Sequence, residues 1–437
     1  MTEPMPSPTT LIKNGRVIDP SQSLDRVCDV LLADGKIRQV GRVTTVADRV
    51  LDARGLIVAP GLIDMHVHLR EPGDEEEETI ASGSAAAVAG GFASVACMPN
   101  TRPPLDGATA IEFVTRQAAR AGLCNVFPIG AITKGRAGKE LAEMGQMVRA
   151  GAVAFSDDGS GVASAATMFR AFQYITMFDR PIIQHCEDKD LSGSGVMHSG
   201  YVSVRLGLPG MPAIAEELML QRDLRLAKET GARYHMAHVS TAGSVHLIRR
   251  AKHDGVRVTT EVCPHHLLLT DEACSGYDTN YKMNPPLRTK DDVKACLDGV
   301  VDGTIDCLVS DHAPHAMQEK ELTFGAAPFG IVGLETALPL FVKALVTPGL
   351  LDWPGLIERM TVRPARVLGL TKGTLREGAD ADVTLIDPEA EWTIDVSKFR
   401  SKSRNSPFGG WKVKARAVAT IVGGEVKYCD RETMIAE

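Results

Sequence analysis

The sequence predicts an α/β chain: a (β/α)8 barrel of the TIM type with a small composite β-sandwich built from the N- and C-terminal segments. Two observations carry this fold class. Eight short apolar runs alternate with helical stretches through the middle of the chain, and short segments broken by Gly and Asp turns occupy both ends. A third points the same way, because metal-competent side chains recur at the ends of the central runs.

Residues 1–58 are read as one part of the sandwich. There Leu11-Ile-Lys-Asn-Gly-Arg-Val-Ile-Asp19, Val27-Cys-Asp-Val-Leu-Leu32 and Lys36-Ile-Arg-Gln-Val40 alternate apolar and polar residues between turns. Residues 369–437 are read as the other part, in Ala381-Asp-Val-Thr-Leu-Ile-Asp387, Trp392-Thr-Ile394 and Ala415-Arg-Ala-Val-Ala-Thr-Ile-Val422, followed by the turn Gly423-Gly424. Between them, residues 59–368 supply barrel strands at Leu62 to Val67, Ala93 to Met98, Val126 to Ile132, Ala152 to Ser156, Pro181 to His185, Tyr234 to Val239, Val256 to Val262 and Cys307 to Ser310. Helical stretches such as Glu216 to Thr230 and Ser244 to His253 separate them. Periodicity does not distinguish a buried strand from a buried helical turn, so it is the regular alternation that argues for a barrel.

Composition narrows the function classes. At 437 residues, with 44% apolar content, the chain can bury one large barrel with additions. A net charge of -7 and no long basic run argue against nucleic acid or an anionic membrane as the main partner, which leaves small-molecule chemistry. No apolar stretch approaches the ~20 residues that span a bilayer, and the opening Met-Thr-Glu-Pro lacks a signal-peptide pattern. A cytoplasmic protein with a frayed start is expected. Nine cysteines, several inside apolar runs (Cys97, Cys186, Cys263, Cys307), read as small buried hydrophobes rather than disulfides.

In a barrel of this type the active site lies where the strands end, so the residues that terminate the runs are the informative ones. His66 and His68 end the first run, Asp157-Asp158 the fourth, His185 the fifth, His238 the sixth and Asp311-His312 the eighth. An H-x-H pair on an extended strand aims two imidazoles at one point. Four histidines (66, 68, 185, 238) and two carboxylates at one level suit two zinc ions with a bridging group and an open position for water. Alternation does not decide which acid of Asp157-Asp158 faces the metals. His235, three residues before His238, should face the opposite side of its strand, and with His246 and His253 it is read as surface or packing. His198 falls in a Gly-rich loop, and one of His265 and His266 is expected at the pocket's edge. No G-x-S-x-G elbow, P-loop or dinucleotide fingerprint is present, so hydrolytic metal chemistry is favoured.

The ordered constellation resembles the metal-dependent amidohydrolase superfamily. Within it, His66-Val-His-Leu-Arg-Glu-Pro-Gly73, Met98-Pro-Asn-Thr-Arg-Pro-Pro104, Phe155-Ser-Asp-Asp-Gly159, Ala237-His-Val-Ser-Thr241, Pro264-His-His-Leu267, Asn284-Pro-Pro-Leu-Arg288, Ser310-Asp-His-Ala-Pro-His315, Pro328-Phe-Gly330 and Asn405-Ser-Pro-Phe-Gly-Gly-Trp411 are similar to class I dihydroorotases over nearly the whole chain. The resemblance implies that His66, His68 and Asp311 hold one Zn2+, that His185 and His238 hold a second, and that Asp158 bridges the two. The carboxylated lysine common in the superfamily has no counterpart in Ala152-Val-Ala-Phe-Ser-Asp-Asp158.

The implied reaction is the reversible cyclisation of N-carbamoyl-L-aspartate to L-dihydroorotate in pyrimidine synthesis, with Asp311 moving the proton. Arg70, Asn100 and His315 resemble the family's grip on the substrate carboxylate; Asn284 and the Phe329-Gly330 backbone resemble its contacts to the ring. The stretch Met317 to Pro328 reads as a mobile loop beside the pocket. Aspartate transcarbamoylase is the partner the resemblance suggests, and a homo-oligomer is expected. Two rival readings share the barrel: another cyclic amidohydrolase such as a hydantoinase or allantoinase, or a catalytically silent scaffold for the transcarbamoylase.

Overall fold

The structure, a computed structural model, describes residues 9–430 and the short strand Ile435–Ala436; the expected frayed start lies outside the described residues. Strands β1 (Thr10–Asp19), β2 (Leu24–Ala33) and β3 (Lys36–Gly41) form an antiparallel meander. On the other edge of β1 lie two short parallel strands in succession, β4 (Arg49–Asp52) and β5 (Ile57–Pro60). The sheet therefore forks along one strand.

The chain then enters the barrel through β6 (Leu62–Val67), β7 (Phe92–Cys97), β8 (Asn125–Gly130), β9 (Ala154–Ser156) and β10 (Ile182–Gln184). A two-stranded ribbon, β11 (Met197–His198) with β12 (Gly210–Met211), interrupts it before β13 (Tyr234–Met236), β14 (Val258–Val262) and β15 (Cys307–Leu308) complete it. These eight barrel strands pair in parallel in sequence order, and each falls on one of the eight apolar runs of the sequence, with β7 and β8 beginning one residue before theirs. The ring closes through the loop that follows β15. His68 N–H donates to His312 O at 2.8 Å, and Ser310 N–H donates to Asp64 Oδ2 at 3.0 Å.

Every residue of β6 and β7 is buried, as expected for parallel strands covered on both faces. Alternate residues divide between two cores. Phe155, Ile182 and Leu308 pack outward against the helices, whereas their neighbours Ala154, Ile183 and Cys307 fill the barrel interior. The helices start on local caps. Thr79 Oγ1 accepts from Ser82 N ahead of Ile80–Ala89, and Thr241 Oγ1 accepts from Ser244 N ahead of Ala242–His253.

After the barrel, β16 (Val383–Thr393), β17 (Lys412–Val422) and β18 (Glu425–Cys429) return the chain to the first sheet, where β16 pairs antiparallel with β5 and β19 (Ile435–Ala436) pairs with β4. Their shared core mixes residues from both ends, among them Ile12, Val30 and Leu51 with Val383, Leu385 and Ile421. Asp19 joins the two ends through its carboxylate, which accepts from Leu375 N at 2.7 Å. The composite β unit read from the sequence is thus formed. It packs against the root of the barrel, where Thr384 Oγ1 donates to Gly91 O and Thr420 Oγ1 to Val88 O.

Candidate metal centre and active site

The strand ends converge as the sequence reading required. His66 Nε2 lies 3.6 Å from Asp158 Oδ1 and 3.5 Å from Asp311 Oδ1. His68 Nε2 is 3.1 Å from Asp311 Oδ1 and 3.7 Å from Asp158 Oδ2. Across the barrel mouth, His185 Nδ1 and His238 Nε2 each lie 3.6 Å from Asp158 Oδ1. Asp158 therefore stands between two sets of imidazoles. Asp157, its neighbour, points elsewhere, accepting N–H bonds from Ile132 and Thr133. Alternation from Ala154 carries Asp158 inward.

These side chains fit metal ions. All six are buried, and His66 Nε2 and Asp158 Oδ1 have no hydrogen-bond partner among the described residues. Orphaned buried polar atoms are costly unless a ligand satisfies them. Separations of 3.5–3.7 Å match the edge of about 3.4 Å expected for a tetrahedron with bonds of about 2.1 Å. Three overlapping groups, His66/His238/Asp311, His66/His68/Asp158 and Asp158/His185/His238, bring their ligand atoms within 4.8 Å of one another. Burial alone would raise both carboxyls. The charge of His66 and the polar nitrogens of the surrounding imidazoles override it and hold Asp158 and Asp311 well below the usual carboxylate range. Two ionised acids among four histidines offset half the charge of two divalent cations.

Three of the four histidines are oriented from behind. His66 Nδ1 lies 2.5 Å from Glu261 Oε1, His68 Nδ1 lies 2.8 Å from Asn100 Oδ1, and His185 Nε2 lies 3.2 Å from Glu187 Oε2. Such partners fix the tautomer and aim the opposite nitrogen at the metal. Glu261 and Glu187 escaped the sequence reading. Strand alternation from Cys263 back to Glu261 could have found the first, and adjacency to His185 the second.

The cage opens into a cavity of about 270 Å³ lined by Arg70, Asn100, Asn284, His315 and Phe329 as well as every metal-site residue except His66. Arg70 Nε is held by Pro314 O at 3.0 Å and Glu77 Oε2 at 2.8 Å, and its Nη2 lies 3.3 Å from His315 Nε2. His315 Nε2 also lies 2.7 Å from Phe329 O. Gly330, like His66, is not among the lining residues. The N–H of Gly330 donates to Lys282 O, while its carbonyl accepts from Lys320 Nζ and Asn405 Nδ2, so its backbone is already engaged. Of the Phe329-Gly330 pair, Phe329 is the residue at the pocket. Gly330 is required by space, since a Cβ there would lie 2.6 Å from Ala313 O.

Other residues depart from their reading. His235 is fully buried inside the barrel, with Nε2 3.1 Å from Glu261 Oε2. Alternation misleads here because β13 ends at Met236 and His238 has a left-handed backbone, φ 30°, which breaks the parity. Arg70 and Asp311 also have positive φ, 61° and 47°, so three residues of the site sit in strained turns. His246 and His253 are exposed, as expected. His265 and His266 are both buried and, through desolvation, held below the usual histidine range, His266 at about 3. Burial pushes the Cys186 and Cys263 thiols well up, which makes them inert packing residues. The Met317 to Pro328 stretch, read as mobile, is tied down: Lys320 Nζ donates to Pro328 O and Lys282 Nζ to Gly325 O and Ala327 O.

A family model described as dihydro-orotase-like matches residues 55–244. The dihydroorotase of Pelotomaculum thermopropionicum is 57% identical over 422 residues, covering 96% of this chain and 99% of the relative. The chain belongs to the dihydroorotase family. Dihydroorotase of Pelobacter propionicus, at 53% identity over 420 residues, covers the same 96% of the chain and 99% of its own length. Among solved structures, the L-hydantoinase (dihydropyrimidinase) of Arthrobacter aurescens superposes with a TM-score of 0.88 at 29% identity, covering 98% of this chain and 97% of that one. The D-hydantoinase of a Thermus species gives 0.83 at 25% identity, covering 96% and 95%. Dihydroorotase-family membership and the hydantoinase-like barrel agree with a cyclic amidohydrolase.

Proposed function

We propose that the chain is a zinc-dependent dihydroorotase, interconverting N-carbamoyl-L-aspartate and L-dihydroorotate in pyrimidine synthesis. The observation that carries this reading is the buried Arg70 guanidinium, held beside His315 and Asn100 on the rim of the metal cage. A planar cation with fixed donors suits an exocyclic carboxylate, which the substrate has and hydantoin lacks. His66, His68 and Asp311 form one metal site, His185 and His238 the other, with Asp158 between them. Nitrogen and oxygen donors in this number suit zinc. Two such ions supply a Lewis acid for the ring carbonyl and lower the pKa of water near it.

The remaining steps belong to the chain's own residues. Arg70, Asn100 and His315 hold the carboxylate, and Asn284 and Phe329 border the ring. Asp311, ionised and facing the cavity, takes the proton of the attacking water and gives it to the leaving ring nitrogen; in the cyclising direction it removes a proton from the attacking nitrogen. Among the described residues no helix is long and apolar enough to cross a membrane. A homo-oligomer, with aspartate transcarbamoylase as a partner, is part of the same proposal.

The hydantoinase reading is favoured only by the structural neighbours. Comparing kcat/KM for dihydroorotate, hydantoin and dihydrouracil decides between them. Dihydroorotate is expected to be preferred by at least about tenfold, the lower end of the worth of a charged hydrogen-bonded pair. Equal or better turnover of hydantoin overturns the proposal.

A further inference from the structure

Glu187 lies two residues after His185, and its carboxylate is surrounded by donors. Its Oε2 receives His185 Nε2 at 3.2 Å, Asn284 Nδ2 at 2.9 Å and Lys189 Nζ at 2.5 Å, while Oε1 receives Ser192 Oγ at 2.5 Å. Four donor contacts on two oxygens leave no room for a proton, and a carboxylate only accepts. Two consequences follow. His185 must carry its proton on Nε2, which leaves the Nδ1 lone pair facing Asp158. Asn284 must turn its amide nitrogen toward Glu187, which leaves its Oδ1 free for the cavity.

Asn100 stands in the opposite sense. His68 presents Nε2 to the acids, 3.1 Å from Asp311 Oδ1, so its proton sits on Nδ1 and is given to Asn100 Oδ1 at 2.8 Å. The free end of Asn100 is therefore a donor, and that of Asn284 an acceptor. Asn100 lines the same cavity as Arg70 and His315, where an anion belongs. The acceptor requires an N–H.

We infer that Glu187 is a positioning residue that couples the metal ligand His185 to Asn284 and presents Asn284 Oδ1 to a substrate N–H. The ligands recognised on this side are cyclic amides or ureides with an unsubstituted ring nitrogen. The inference rests on reading Asn284 as a ring contact under the proposed function.

The test uses full-length wild type, Glu187→Gln, Asn284→Ala and the double variant. Zinc affinity is measured by competition with a chromophoric chelator, and kcat and KM with dihydroorotate. Glu187→Gln offers one amide oxygen where the carboxylate's two oxygens take four donors. It is expected to weaken zinc binding at the His185 and His238 site about tenfold or more and to raise KM, while Asn284→Ala raises KM and leaves zinc affinity unchanged. The double variant should match the KM of Asn284→Ala to within about twofold. Unchanged zinc affinity in Glu187→Gln, or KM effects that multiply in the double variant, overturns the inference.

Should Glu187→Gln fail to fold, the two mono-N-methyl dihydroorotates serve as inhibitors of wild type and Asn284→Ala. One of them should bind wild type at least about tenfold more weakly than the parent compound, and Asn284→Ala should abolish that difference. Equal binding of both methyl compounds and the parent to wild type overturns the inference. If wild type turns over no dihydroorotate, the functional reading fails instead, and the zinc arm alone still decides for or against Glu187.

Discussion

Glu261 Oε1 stands 2.5 Å from His66 Nδ1 at the bottom of the cage, although 195 residues separate the two in sequence. The same carboxylate reaches His235 Nε2 with its other oxygen, at 3.1 Å, and both acid and imidazoles are completely buried. Glu261 thus fixes the ring of His66 so that Nε2 faces Asp158 and Asp311. Glu261→Gln is expected to lower zinc affinity about 10–100-fold with KM little changed. Equilibrium dialysis against a zinc buffer checks this, and retained affinity would sink the assignment.

Under the proposed function Asp311 handles the proton as well as holding metal. Asp311→Asn keeps an oxygen for the metal but loses the base. Zinc content should stay close to wild type while kcat falls about 10²–10⁴-fold, as measured by atomic absorption alongside steady-state turnover. Unchanged kcat would reject the role.

Arg70 is locked between Glu77 and Pro314 O, so its guanidinium is held ready before substrate arrives. Arg70→Met should raise KM for dihydroorotate about 10–100-fold, the value of one charged hydrogen-bonded contact, and leave hydantoin hydrolysis little altered. Equal losses on both substrates would mean that the variant disturbs the metal cage instead.

Glu335 supplies a stability prediction away from the site. Its carboxylate accepts N–H bonds from Arg400 at 2.7 Å and Ser401 at 3.1 Å, yet burial outweighs them and pushes its pKa up to about 7 from 4.5. The folded state then binds more protons than the unfolded state between about pH 4.5 and 7, so this group's contribution to stability falls as pH rises through that window. Glu335→Gln removes the dependence. Relative to wild type it should gain stability on going from pH 5 to pH 8, by at most about 3 kcal/mol, in urea melts at both values. A difference that does not change with pH would contradict this.

Much of this architecture is legible in the sequence because the barrel repeats one physical pattern. Buried strands read as apolar runs, and the active residues follow them, so His66, His68, His185, His238 and Asp311 emerge from position alone. Asp158 does not, because β9 is only three residues long and its end could be placed only by the fold. Alternation also fails at His235, where the left-handed turn at His238 puts both histidines inside the barrel. Glu187, Glu261 and the two lysines that tie down residues 325–330 owe their roles to contacts made across the fold. The mixed charge of Met317 to Pro328 reads as a mobile loop, whereas Lys320 is buried among backbone carbonyls and held down to about 7 by desolvation.

The most direct test strips the purified chain of metal with a chelator, adds zinc back in steps, and follows dihydroorotate hydrolysis together with bound zinc. Activity should be absent in the stripped protein and return as zinc fills the cage, reaching its plateau at two ions per chain. Full turnover without metal, or two bound zinc ions with no dihydroorotate hydrolysis in the presence or absence of aspartate transcarbamoylase, would contradict a zinc-dependent dihydroorotase.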